Sequence, residues 1–384
     1  MKNFIKKSIA TVLCCCTLAG TACPAYAFEN NSAQPDFSAS IVSFFEDFRE
    51  KLFSLLGITS NETEGMDIKI DRGEIFEAKE HFNSAHASTL VKMSNGDILS
   101  AWFAGSGEGN SDVRIWYSVY NGSEWSEPKQ LASEDTVAHW NPVLQDMGDF
   151  VRLYYKVGKN TESWVTKYSD TYDFGATWTQ PKELVEGDTS GGRGPVKNKC
   201  LVTSGGVMIA PASTEQGEWK AFFDISTDGG ETWQKTDYIS AKDSRGKTVA
   251  MIQPTLWEDA DGNIHAMFRT RAGKIYRSDS FDGGCTWSEA YATQLPNNSS
   301  GIDCVMSDNG WLWLAYNPIG VEGIRNKLVL SVSKDNGETW EEVMTVENRF
   351  FGEYSYPSII ADGNELYMTY TYTRTKINYL FIEF

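Results

Sequence analysis

The chain has 384 residues and a mass of 42.9 kDa, with 41% hydrophobic and 22% charged residues. It is too apolar for a disordered chain and long enough to bury a sizeable core. Lys and Arg total 34 against 52 Asp and Glu, a formal net charge of −18, which argues against nucleic acid and anionic membrane surfaces as partners. Any acidic ligand therefore has to be held by a few locally placed cations.

From the N-terminus, Lys2, Lys6 and Lys7 precede the apolar run Ile9 to Leu18, and Ala25-Tyr26-Ala27 supplies a small-x-small cleavage pattern. Residues 1–27 thus read as a secretory signal peptide, excluded from the fold. A lipid anchor through Cys23 is less favoured, because Gly20 stands where a Leu is expected. No other stretch approaches the ~20 apolar residues of a membrane span. The expectation is a secreted, monomeric protein whose mature charge, after loss of three Lys and no acid, is −21. Of seven Cys, Cys14, Cys15, Cys16 and Cys23 lie in the signal. Cys200, Cys285 and Cys304 are odd in number and form no CxxC, so they read as small buried thiols and neither as a zinc site nor as a disulfide framework.

Residues 28–65 form a second segment. Ser38 to Leu56 has Ile41, Phe44, Phe45, Phe48, Leu52 and Leu55 at helical spacing, with Glu46, Asp47, Arg49, Glu50 and Lys51 opposite. This predicts one short amphipathic helix, without evident chemistry, followed by a polar linker over Thr59 to Gly65.

Residues 66–384 carry a repeat. Thr171-Tyr-Asp-Phe-Gly-Ala-Thr-Trp178, Ser226-Thr-Asp-Gly-Gly-Glu-Thr-Trp233, Ser280-Phe-Asp-Gly-Gly-Cys-Thr-Trp287 and Ser333-Lys-Asp-Asn-Gly-Glu-Thr-Trp340 share one pattern, and Ser118-Val-Tyr-Asn-Gly-Ser-Glu-Trp125 is a degenerate copy. Asp173, Asp228, Asp282 and Asp335 follow one another at steps of 55, 54 and 53 residues. Each copy suits a hairpin turn in which Asp caps backbone amides, Gly takes positive φ and Trp packs between units. Between copies the chain reads as short strands, such as Asp97 to Phe103 and Leu328 to Val332. A four-stranded unit of roughly 50 residues is a propeller blade. The segment has room for six, the last closed by an early strand at Asp67 to Ile70 or Glu74 to Ala78, which removes the open sheet edges. The expected fold is all-β, a six-bladed propeller.

A second register runs through His86, Asn141, Lys197, Gln253, Asp303 and Tyr356, at steps of 55, 56, 56, 50 and 53 residues. Each precedes or begins an apolar strand, expected to be the innermost of its blade. Six polar side chains at one mouth of the central funnel make a site hypothesis, set against a merely solvated tunnel mouth. His139 and His265 read as strand residues and His81 as a turn residue. Trp140 fits a sugar platform and inter-blade packing equally well.

The repeated segments match the Asp-box, S-x-D-x-G-x-T-W, and the chain from residue 84 to 384 resembles the sialidase-like propeller family. The boxes sit on outer turns in that family, so their Asp residues are not catalytic candidates. The family grips a sugar carboxylate with three arginines, uses a Tyr nucleophile activated by a Glu, and uses an Asp acid/base on a blade-one loop. The resemblance makes Tyr356 the nucleophile, with Tyr354 beside it, and puts Arg269 (or, less favoured, Arg271) and Arg325 on the carboxylate. His86 stands where the first arginine is expected, and Gln253 stands where the glutamate is. The acid/base falls on Glu108, favoured over Asp112, in Gly105-Ser-Gly-Glu-Gly-Asn-Ser-Asp112. With Gln253 unable to act as a base, His86 or Asp303 can take that part, and Glu108 with Asp303 or Glu353 is a carboxyl pair for an inverting route. Asn141, Lys197 and Trp140 complete the expected binding set. The implied activity is an exo-glycosidase acting on a terminal carboxylated sugar of an acidic glycan, without metal or cofactor. A uronate-glycan lyase and a non-catalytic glycan-binding propeller are the alternatives.

Overall fold

The computed structural model describes residues 69–133, 135–215 and 217–383, together with Lys51. The signal segment and, apart from Lys51, the expected 38–56 helix lie outside the described residues.

After the opening strand β1 (Lys69–Glu74) the described chain forms blade one from β2 (Ser84–Lys92), β3 (Ile98–Gly105), β4 (Arg114–Tyr120) and β5 (Lys129–Gln130). Blade two contains β6 (His139–Asp146), β7 (Val151–Val157), β8 (Val165–Thr171) and β9 (Lys182–Glu183). Blade three contains β10 (Leu201–Val202), β11 (Met208–Thr214), β12 (Lys220–Ser226) and β13 (Gln234–Lys235). Blade four contains β14 (Met251–Glu258), β15 (Ile264–Thr270), β16 (Lys274–Ser280) and β17 (Tyr291–Pro296). Blade five contains β18 (Asp303–Met306), β19 (Leu312–Tyr316), β20 (Lys327–Ser333) and β21 (Glu341–Asn348). Blade six is β22 (Tyr354–Asp362), β23 (Glu365–Tyr372) and β24 (Lys376–Glu383), with β1 as its outer strand. The architecture is a six-bladed propeller. Lys69 pairs with Glu383 and Glu74 with Asn378, so among the described residues the closing strand is 69–74, overlapping one end of each expected segment.

The burial pattern explains why these sequences form blades. β7, β11 and β15 are buried at every position, because both faces of a blade pack against neighbours. The outer strands β5, β9 and β13 are two-residue, exposed pieces. Trp102, Trp257 and Trp313 are fully buried, each worth about 1.5–3 kcal/mol or more of apolar transfer.

The repeat turns staple the blades. In the four full copies the Asp accepts from the Thr amide and hydroxyl, at 2.9 and 2.6 Å for Asp228 and Thr232. Two successive positive-φ residues follow it, Asn336 and Gly337 in the last copy. The Trp then packs on the preceding blade: Trp287 stacks on Phe223 at 4.1 Å, and Trp178 meets Tyr117 edge-on at 5.5 Å. Cys200 and Cys304 are buried free thiols, but Cys285 is exposed, because it sits in a repeat turn.

Candidate functional site

Strand order alone fixes where side chains meet. The connections entering each innermost strand and the hairpins joining second to third strands share one end of the propeller, while the repeat turns occupy the other. Four innermost strands also bend alike. β2, β6, β14 and β22 each carry a bulge, between His86 and Thr89, Trp140 and Val143, Ile252 and Thr255, and Ser355 and Ser358. At each bulge one residue is left-handed: Ala87, Asn141, Gln253 and Tyr356, with φ of 56°, 35°, 51° and 52°. Such a conformation costs a non-glycine residue of order 1–3 kcal/mol and re-aims the chain at the axis. Thus Ala87, not His86, shares the position of Asn141, Gln253 and Tyr356.

His86 reaches the same place from one residue earlier. Its ring lies 4.2 Å from that of Tyr356, centroid to centroid, and 5.5 Å from Phe103. The imidazole is buried, and neither nitrogen has a partner among the described residues. Burial first, then the charges of Arg374, Arg325, Arg269 and Lys197, hold it well below the usual histidine range.

The Tyr356 hydroxyl receives two N–H donors. Arg269 Nη1 donates at 2.5 Å and Gln253 Nε2 at 3.4 Å. Arg269 Nη1 also donates to Gln253 Oε1 at 2.9 Å, which fixes the amide orientation. The other Gln253 N–H faces Glu215 Oε1 at 3.5 Å. Glu215 and Trp219 lie on the β11–β12 hairpin, and Trp219 packs under the guanidinium groups of Arg269 at 5.0 Å and Arg271 at 3.7 Å. Burial pushes the Glu215 carboxyl up; the Arg269 charge opposes this and the Glu108 charge adds to it.

A second chain of charges rims the mouth. Arg325 donates to Glu353 Oε1 at 2.8 Å and to the Ser299 carbonyl at 2.9 Å, and it stands 5.7 Å over the Tyr356 ring. Arg374, in the β23–β24 turn, donates to Glu353 Oε2 at 2.8 Å and to Glu108. Burial works to raise the Glu353 carboxyl, but the Arg374 hydrogen bond and the Arg325 and Arg374 charges outweigh it and hold it below the ordinary range. Glu353 is therefore an orienting anion between two arginines.

Other candidates are re-assigned. Asp303 is fully buried and its oxygens accept from Lys199 Nζ at 3.0 Å, Thr255 Oγ1 at 2.8 Å and the Ile359 amide at 2.9 Å. It ties blades together and has no capacity left to act as a base. Lys197 is buried and donates to Asn198 Oδ1 at 2.7 Å, the Ile302 carbonyl at 3.0 Å and the Pro357 carbonyl, so it ties down the backbone next to Tyr356. Trp140 is 8% exposed, donates to the Gly158 carbonyl at 3.0 Å and packs against Phe103 and Trp164, so it is an inter-blade residue. Tyr354 turns away from Tyr356, donates to the Phe351 carbonyl at 3.3 Å and packs on Tyr372. Asp112 accepts from the Ser106 amide and hydroxyl at 2.8 and 2.7 Å and braces its own loop. Arg271 is exposed beside Glu322. Asn141 is buried at its bulge. His265 is held between Asp259 and Asp279 at 2.9 and 2.6 Å.

Arg374, Glu215 and Trp219 carry no motif and escape sequence reasoning. One signal was available: Glu108, Glu215, Arg271, Arg325 and Arg374 all fall in second-to-third-strand hairpins, so charge recurs in one class of turn.

Residues 96–368 match the BNR repeat-like domain, and the chain belongs to that family. No curated protein matches it in sequence. Among solved structures it resembles a protein of unknown function from Dyadobacter fermentans, with a TM-score of 0.66 at 16% identity, covering 82% of this chain and 99% of that one. It resembles a Hadza microbial sialidase, with a TM-score of 0.69 at 15% identity, over 81% and 68% of the two chains. It also resembles Trypanosoma rangeli sialidase in complex with the inhibitor DANA, with a TM-score of 0.63 at 16% identity, over 82% and 59%. At these identities the likeness is one of fold: a divergent sialidase-like propeller, an architecture shared with glycosidases.

Proposed function

We propose that the protein is a secreted exo-glycosidase that removes a terminal carboxylated sugar, sialic acid or a relative, from extracellular glycans. The observation that carries this reading is the approach of two guanidinium groups to Tyr356, Arg269 donating to its hydroxyl at 2.5 Å and Arg325 standing over its ring. In a chain of net charge −18, two arginines converging on one tyrosine suit a carboxylate, because each presents a planar fork of donors.

In this reading Arg269 and Arg325 bind the sugar carboxylate and Tyr356 attacks the anomeric carbon. A phenol suits that carbon better than a side-chain carboxylate, which a neighbouring substrate anion repels. The N–H groups of Arg269 and Gln253 favour negative charge on the Tyr356 oxygen as its proton leaves. Glu353 orients Arg325 and Arg374 and shields the mouth from excess positive charge. His86, buried beside Tyr356, packs against the tyrosine ring and holds it in place.

The position of Gln253, where a glutamate base would stand, favours one second reading, β-elimination from a uronate by His86 and Tyr356. Product analysis decides between the two. Incubation with sialyl-capped and uronate-capped oligosaccharides is expected to release a saturated free sugar. An unsaturated uronate, recognised by its ultraviolet band, would move the protein to the lyases, and binding of the panel without cleavage would leave a lectin.

A further inference from the structure

The proposed glycosidase lacks an obvious proton donor for the departing oxygen. Glu108, on the blade-one loop, is already engaged as the hydrogen-bond acceptor of Arg374. Asp112 is consumed by Ser106, Asp303 by Lys199 and Thr255, and Glu353 by two arginines. Glu215 differs from all of these. Among the described residues it makes no ion pair and one hydrogen bond, the 3.5 Å contact from Gln253. The same Gln253 amide group touches the Tyr356 hydroxyl at 3.4 Å, so the carboxyl and the nucleophile are neighbours across a single side chain. The aromatic face of Trp219, on the same hairpin, shields that side of the mouth.

We propose that Glu215 is the general acid/base of this site, a role resting on the glycosidase reading above. In the first step the Tyr356 hydroxyl gives its proton to solvent water as its oxygen bonds to the anomeric carbon and the glycosidic C–O bond breaks. Its electron pair goes to the leaving oxygen, which takes the Glu215 proton. In the second step the Glu215 carboxylate takes a proton from water as the water oxygen bonds to the anomeric carbon. The C–O bond to Tyr356 breaks, its pair returns to the phenolic oxygen, and that oxygen takes a proton back from solvent. One water is consumed, and Glu215 ends protonated as it began. Burial of Glu215 and the nearby Glu108 charge push its carboxyl upward, against the Arg269 and Arg271 charges, in the direction that favours the protonated form the first step uses.

The test compares two sialosides, one with a 4-nitrophenolate leaving group and one linked to galactose. Proton donation matters for the poor leaving group and little for the good one. Glu215→Gln is expected to lower kcat/KM on the galactose-linked substrate by roughly 10²–10⁴-fold and to change it by less than about tenfold on the aryl sialoside. Formate is expected to restore part of the lost rate, and the Glu215-dependent limb of the pH profile is expected to disappear. Equal losses on both substrates, an unchanged rate on both, or the same leaving-group pattern in Glu108→Gln instead would overturn the assignment. Tyr356→Phe separates the two levels. If it abolishes turnover while Glu215→Gln is fully active, the glycosidase reading stands and this inference falls. If wild-type protein turns over neither sialoside, both fall.

Discussion

His86 and Tyr356 stand ring to ring, 4.2 Å between centroids and tilted by 50°, although they belong to the first and last blades. The closure of the propeller therefore runs through the site, and what perturbs one ring is felt by the other.

This contact gives a pH prediction. The unfolded chain protonates His86 near its ordinary value of about 6.5. The folded chain does not, because burial and four surrounding cations hold the imidazole neutral well below that value. The unfolded state thus binds more protons in the interval, and stability falls as the pH drops from about 6.5 towards the folded value, by up to about 1.4 kcal/mol per pH unit. Urea denaturation between pH 5 and 7.5 is expected to show this slope in the wild type and a shallower one in His86→Gln. Parallel slopes would mean that His86 is protonated in the folded protein.

Tyr356→Phe removes the oxygen on which Arg269 and Gln253 converge. Turnover of the carboxylated sugar is expected to fall by more than about 10³-fold. The unpaired Arg269 donor is expected to cost about 1–3 kcal/mol of stability. Stopped assays with an aryl sialoside and a thermal melt together separate chemical loss from unfolding.

The sequence and the structure agree on architecture because the propeller is written in local signals: turn residues at fixed offsets and a Trp to staple each turn. The site is less legible. Lys197 and Asp303 share the register of Gln253 and Tyr356, yet only the latter two face the mouth; Lys197 caps carbonyls and Asp303 binds Lys199. Sequence spacing gives the strand but not the bulge that decides which residue turns inward, and for the same reason the spacing points to His86, one residue before the left-handed Ala87. Arg374 and Glu215 lie in hairpins, where one charged residue looks like any other until the propeller brings the turns together.

Arg374 yields a third prediction. It spans Glu353 and Glu108 with separate nitrogens, a reach the single ammonium of lysine lacks. Arg374→Ala is expected to lower kcat/KM by about 10²-fold by releasing Glu353 to compete for Arg325, and Arg374→Lys is expected to recover only part of it. Full recovery by lysine would reduce Arg374 to a source of bulk positive charge.

At the opposite end, Arg152 holds Asp170 through two bonds of 2.7 and 3.0 Å and reaches the Gly230 carbonyl in the next blade's turn at 3.1 Å. The pair is buried, so Asp170→Ala leaves the guanidinium only the Gly230 carbonyl and the exposed Glu231 at 3.7 Å and is expected to cost about 3 kcal/mol. Chemical denaturation reads the loss, and kcat of the surviving folded fraction is expected to stay at the wild-type value.

The most direct measurement is kcat/KM for a sialoside and for its analogue with the carboxylate replaced by a neutral carboxamide, in the wild type and in Arg325→Ala. The wild type is expected to prefer the carboxylate by at least about 10²-fold, and Arg325→Ala is expected to erase most of that preference. Equal turnover of acid and amide by the wild type would mean that the guanidinium groups around Tyr356 serve some purpose other than gripping an anionic sugar.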